Sequence, residues 1–422
     1  MSYPHTYSMR DPSLLSGIPL LTNKFTSPTT KTTNIIYIYL YNYPRKELYT
    51  IMKIICSKSK LLNGVSIALR AVSNKTTLPI LECILIEAKN NEIKLTANDM
   101  ELGIETIVEG TIETEGKIAI EAKLFSEIIR KLPDNDVIIE TNEHYQALIQ
   151  CEKAKFTIAG QSGNDFAQLP QVEREQFISL SQFTLKEVIR QTIFSISDNE
   201  NNKLMTGELF EVENGTLHVV SLDGHRISIR NVELKDCYNS VKVVVPGKTL
   251  NDVSKILSGD ADKEVKLFFT EKHILFEFDT TKIVSRLLEG NYYPINQMLS
   301  SDYATKIRIN KREFLNCIDR ATLLIRESEK KPIVIRIEDG MMELQIQSSM
   351  GSMKEDMAIY QEGNDILIGF NPRFLMDALR VIDDEEITIY LVNPQAPCII
   401  KDDKESYIYL ILPINFNVAA QS

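Results

Sequence analysis

The chain has 422 residues, 43% of them hydrophobic and 25% charged, and a formal net charge of −11, the profile of a globular protein long enough for two to four domains. Such acidity disfavours the wrapping of a polyanion unless positive charge is segregated onto one surface. Six cysteines without a CxxC pair and five scattered histidines argue against a disulfide framework, a metal centre or a bound cofactor, and suit a reducing cytoplasm.

Residues 1–51 differ from the rest of the chain. They hold seven of the sixteen tyrosines, in and around NIIYIYLYNY, with Pro, Thr and Ser between them. The apolar run from Ile35 to Tyr41 is far short of the ~20 residues that cross a bilayer, so no membrane span is expected. The segment reads as a disordered leader outside the fold, with the folded chain starting at Met52.

From Met52 onward one unit is written three times, expected over 52–178, 179–302 and 303–422. Each copy opens with an amphipathic helix: SKLLNGVSIALRAV, FTLKEVIRQTIF, KREFLNCIDRATLL. A hairpin follows, LECILIEAKNNEIKLTA, LFEVENGTLHVVS or IVIRIEDGMMELQI, with Asn or Gly at the turn between β-rich arms. Then comes a second helix, KLFSEIIRKL, KTLNDVSKIL or RFLMDALRVI, and an acidic turn into DVIIE, EVKLFF or EITIYL. In the second helices Phe125, Leu250 and Leu375 correspond, as do Glu127, Asp252 and Asp377, each set at a spacing of 125 residues. The expected class is α+β, with each copy placing two helices on antiparallel sheets.

The six helical segments, 58–75, 122–132, 183–195, 247–258, 311–326 and 371–382, carry a net +11, while the remainder of 52–422 carries −25. Lys or Arg near a helix C-terminus often answers only the macrodipole. Six cationic helices out of six point further, to one surface for loose, sequence-independent phosphate contact. Lys60, Arg70, Lys123, Arg130, Lys131, Lys186, Arg190, Lys248, Lys255, Arg320, Arg373 and Arg380 would form it.

In the middle copy, SLDGHRISIR (Ser221 to Arg230) breaks the repeat. It places Asp223, Gly224, His225 and Arg226 at a turn whose contents neither other copy shares. Asp223 orienting His225 as a base, a plain tight turn, and the lip of a binding site are all open on the residues alone. No nucleophile elbow, Walker loop or GxGxxG accompanies them, so catalysis is not expected.

The motifs MKIICSKSKLL, TTLPILECILIE, LDGHRISI, SRLLEGNYYP, IGFNPRFLMDAL and SYIYLILPI, in this order, resemble the bacterial DNA polymerase III beta subunit, the replicative sliding clamps, across 52–417. The resemblance implies half of a closed ring per chain, a head-to-tail homodimer of six clamp-type domains whose helices line a hole around duplex DNA. It adds Lys75, in the loop before TTLPIL, to the DNA-facing set. It implies a hydrophobic cleft for QL-x-LF-type peptides of polymerases, the clamp loader and repair proteins. Carried onto this chain, the cleft would use Met205, Leu222, Gly224, His225, Arg226, Ile227, Met298, Asn371, Phe374, Leu410, Leu412, Pro413 and Ile414. The ring would close through Phe156 and Ile158 on one side and Leu323 and Leu324 on the other, positions that as apolar residues could equally be core. Two stretches depart from the family: the proline of NYYPINQML sits one place late, and Pro394 to Pro397 replace small polar residues. A peptide-binding scaffold that never encircles DNA is the alternative.

Overall fold

A computed structural model of the chain describes residues 50–416, apart from 74–75, 176, 237, 300–301 and 327–330. The leader up to residue 49 and Lys75 lie outside the described residues.

Among the described residues six α-helices stand in the expected places: α1 (Lys58–Ala68), α2 (Ala122–Lys131), α3 (Gln182–Thr192), α4 (Gly247–Ile256), α5 (Lys311–Thr322) and α6 (Pro372–Val381). Several begin at a side-chain cap that satisfies an orphan backbone N–H. Ser181 Oγ accepts from Thr184 N at 3.0 Å, Asn310 Oδ1 from Glu313 N at 3.0 Å, and Asn371 Oδ1 from Arg373 N at 3.0 Å. In α2, α4 and α6 the buried residues recur at three- and four-residue spacing, as with Phe125, Ile128 and Ile129 or Leu375, Ala378 and Leu379, so each helix lays one stripe on a sheet.

The three hairpins turn as their sequences require. Asn90-Asn91, Asn214-Gly215 and Asp339-Gly340 all adopt positive φ, the geometry that matches a two-residue turn to strand twist. The strands they join, such as Gly207–Glu213 with Thr216–Leu222, are antiparallel.

Sheets do not stop at the repeat boundaries. Strand Thr281–Arg286 of the second repeat pairs antiparallel with Leu102–Val108 of the first, joining thirteen strands. Strand Arg226–Glu233 of the second pairs with Tyr407–Ile411 of the third, joining nine. A further four-stranded sheet ends in Gly351–Ala358. One apolar core runs through the first and second repeats, another fills the third, and a smaller one lies where second and third meet.

Over these cores the helices pack in pairs, α1 with α2, α3 with α4 and α5 with α6. Charged side chains join one pair to the next. Arg70, just past α1, meets Asp252 of α4 at 3.2 Å, and Arg190 of α3 meets Asp383, just past α6, at 2.9 Å. Arg226 is a third link: largely buried, it bonds Asp223 at 2.9 Å, Asp377 of α6 at 2.6 Å and the Phe194 carbonyl at 2.5 Å. Asp252 and Asp377 hold the same place in the repeat, and each takes an arginine from the preceding copy.

Removing one partner from a buried ion pair strands the other charge. Arg226→Ala is expected to lower unfolding stability by about 3 kcal/mol, measured by urea denaturation. Arg226→Lys should recover little of it, because a single ammonium cannot replace the planar fork.

Candidate peptide cleft and helical face

The turn of SLDGHRISIR lies at the seam of the second and third repeats. Gly224 takes φ +88° with open space where a Cβ would be, so a non-glycine residue would be strained rather than obstructed. Asp223 is fully committed: Oδ1 accepts from the backbone of His225 at 2.9 Å and Arg226 at 3.1 Å, and Oδ2 from the Arg226 guanidinium at 2.9 Å. The imidazole of His225 stacks instead on Phe374, ring centres 6.0 Å apart. The catalytic reading of an Asp223–His225 pair is thereby overturned, because the carboxylate that would orient the ring is spent on the turn and on Arg226.

Around the turn the structure brings together most of the candidate cleft. Leu222, Ile227 and Leu410 are buried in the seam core with Val220, Ile229, Tyr292 and Ile399. They form its floor because strands Thr216–Leu222, Arg226–Glu233 and Tyr407–Ile411 are hydrogen-bonded neighbours. Above them Met298 is 46% and Leu412 37% exposed, with Met205, Pro413 and Ile414 half-buried. The final segment is held by Leu412 N donating to His225 O at 2.9 Å and Ile414 N to Gly369 O at 2.8 Å. A buried apolar floor with exposed methionine and leucine at the edge has the chemistry suited to apolar side chains of varied shape.

Two candidates do other work. Asn371 caps α6, and Arg226 is sandwiched between Phe374 and Phe194, 4.6 and 5.3 Å from their ring centres, so it stiffens the wall rather than reaching outward. Sequence reasoning missed Asp377, Phe194 and Asn202. Asn202 exchanges hydrogen bonds with the Tyr293 hydroxyl at 2.7 and 3.0 Å and lies 3.3 Å from Met205 Sδ, tying the Tyr293–Met298 stretch to the cleft. The repeat register of Asp252 and Asp377 was the available signal for the first of these; nothing local marks the others.

The helical face is less positive than its sequence. Lys60 pairs with Glu109, Arg130 with Glu127, Arg190 with Glu187 and Asp383, Lys248 with Asp99, Arg320 with Glu355 and Arg380 with Asp319, besides Arg70 with Asp252. Lys186 is half-buried and donates to the Leu257 carbonyl at the end of α4, 3.0 Å away, a correction to its place in the outward-facing set: its ammonium is used to cap a neighbouring helix. Lys123, Lys131, Lys255 and Arg373 are exposed and in no ion pair among the described residues, and Arg312 of α5, absent from the expected set, joins them. A groove of about 530 Å³ between α1 and α4 is lined by Lys60, Arg70, Lys255 and Lys263.

Phe156 and Ile158 stand on strand Ala154–Ser162. Among the described residues its first half pairs on one side only, with Gln146–Cys151, before residues 160–162 meet the strand Gly116–Glu121. Phe156 is 39% exposed. Leu323 and Leu324 are in the turn after α5 rather than on a strand; Leu323 is 75% exposed, while Leu324 packs on the core of the third repeat beside the edge strand Gly351–Ala358. No described helix is long and apolar enough to cross a membrane.

Models of the N-terminal, central and C-terminal domains of the DNA polymerase III beta subunit match residues 52–170, 179–294 and 296–415. The beta sliding clamps of Staphylococcus epidermidis and Staphylococcus aureus are each 34% identical over 374 residues, covering 86% of this chain and 99% of theirs. Among solved structures, a putative DNA polymerase III beta subunit from Eubacterium rectale superposes with a TM-score of 0.84 at 66% identity, covering 87% of this chain and all of that one. The Bacillus subtilis sliding clamp gives 0.84 at 34% identity with the same coverage. With three consecutive domain matches over one continuous body, the chain belongs to the DNA polymerase III beta subunit family, the bacterial sliding clamps.

Proposed function

We propose that two copies of this chain join head to tail into a ring around duplex DNA, and that the ring tethers the replicative polymerase, the clamp loader and repair proteins through QL-x-LF-type peptides held in the cleft. The protein in this reading is a processivity factor and performs no chemistry itself. The single observation that carries it is that the six cationic helices, packed in pairs and linked from pair to pair by Arg70–Asp252 and Arg190–Asp383, lie on sheets that fuse the three repeats. Helices linked in that way offer DNA one long, weakly cationic surface. Because most of its cations already have a carboxylate partner, phosphate contact stays loose, and retention comes from encirclement. Apolar side chains at the open Ala154–Ser162 edge and beside Gly351–Ala358 support closure by strand-edge contact between copies.

The residue assignments are separable by experiment. Leu323→Asp places a charge in the proposed closure surface; the native mass is expected to fall from dimer to monomer, with loss of polymerase stimulation and unchanged peptide capture. A scaffold that works without a ring would keep its stimulation as a monomer. Met298→Asp combined with Leu412→Asp should weaken capture of a QL-x-LF peptide at least thirtyfold, about 2 kcal/mol, with the dimer mass retained. Unweakened capture would move the cleft elsewhere.

A further inference from the structure

Glu208, on strand Gly207–Glu213, has no solvent exposure. One position before the Leu209–Val220 pair, it lies across from Ser221, which pairs with Ser228, which pairs with Tyr409. This polar row crosses four strands from the second repeat into the third. All four members reach the end of α3 or the segment just beyond it. Glu208 Oε2 is 2.9 Å from Thr192 Oγ1, Ser221 donates to the Thr192 carbonyl at 2.6 Å, Ser228 meets Ser195 at 2.5 Å, and the Tyr409 hydroxyl donates to the Gln191 carbonyl at 3.2 Å.

Two contacts of one hydroxyl bear on the state of Glu208. The Thr192 hydroxyl has one proton, and its oxygen also lies 2.8 Å from the Val188 carbonyl, which can only accept. One proton cannot fill both contacts: with it on Val188, the 2.9 Å contact to Glu208 is a hydrogen bond only when the carboxyl supplies the second proton, as a neutral acid does. The other carboxyl oxygen, Oε1, is buried without a partner among the described residues, an arrangement costly for an anion and far less so for a neutral acid. Around it stand Thr192 of α3, Ser221 and Val245 of the flanking strands, and Tyr292, a titratable neighbour whose hydroxyl donates to the Val220 carbonyl at 3.2 Å. No Lys, Arg or His among the described residues pairs with Glu208.

We infer that Glu208 is a protonated acid at neutral pH that donates to Thr192 and locks the end of α3 onto the sheet shared by the second and third repeats, a lock that opens when the proton leaves. Burial pushes its carboxyl up from 4.5 to about 8. The folded state therefore holds a proton that the unfolded chain releases: the stabilisation is complete below about 4.5 and is lost as pH rises through about 8. Between those limits the folding equilibrium weakens about tenfold per pH unit through this one group. Glu208→Gln keeps a donor for Thr192 and cannot titrate.

Urea unfolding of the full chain and of Glu208→Gln between pH 5 and 9 tests this. The unfolding constant of the natural chain should rise relative to the variant by about tenfold per pH unit up to about pH 8 and then run parallel to it. In the natural chain the infrared carbonyl stretch of a protonated carboxylic acid should be present at pH 7 and vanish on titration through about 8, a reading that needs no variant to fold. Parallel unfolding profiles throughout, or no such band at pH 7, would overturn the lock.

Discussion

Backbone pairing across the repeat boundaries is the constraint on which everything else rests. Strand Thr281–Arg286 continues the sheet of the first repeat through Leu102–Val108, and Tyr407–Ile411 continues that of the second through Arg226–Glu233. An antiparallel ladder fixes both the distance and the register of the strands it joins. Three copies so joined cannot turn their helices in unrelated directions, and Arg70–Asp252 and Arg190–Asp383 link one helix pair to the next. The cleft depends on the same pairing, since Leu222 and Ile227 come from one repeat and Leu410 from another, and the ladder between them closes the floor.

Side chains reinforce these junctions by type. At the first, Thr106 and Thr281 hydroxyls meet at 2.9 Å inside the joined sheet while Arg70 and Asp252 meet above it. At the second, a buried polar row under α3, the Arg226 cluster and the Arg190–Asp383 pair act together. Arginine suits these places because its fork serves two carboxylates and a carbonyl at once and its plane stacks on rings. The repeated acid at Asp252 and Asp377 is thus a junction residue reused. Exposed pairs along the helices are worth at most about 1 kcal/mol each, so a passing phosphate can exchange with a carboxylate at little cost.

Much of this was legible in the sequence because it is local or periodic. The hairpin turns at Asn90-Asn91, Asn214-Gly215 and Asp339-Gly340, the helical stripes, and the 125-residue register each announce themselves within a few residues. The cleft floor was found through motif resemblance and not through pattern, since Leu222, Ile227 and Leu410 look like any buried strand residues. What stayed hidden depends on pairings between distant positions: Arg226 with Asp377, Lys186 with the Leu257 carbonyl, and the many carboxylates that answer the helical cations. Glu208 was hidden for another reason. Glu208 shares a face with the buried Phe210 and Val212 while Glu211 and Glu213 mark the other, but an acid at the start of a strand reads as exposed, and its partners at the end of α3 are distant in sequence.

The central claim is that retention on DNA is topological, which requires the helical rows of two copies to face one hole. Dwell time on a nicked circular duplex after loading, before and after the circle is linearised, tests it most directly. A ring should stay on the circle and run off the linear form within the dead time of the assay. Equal loss from both forms would contradict the account.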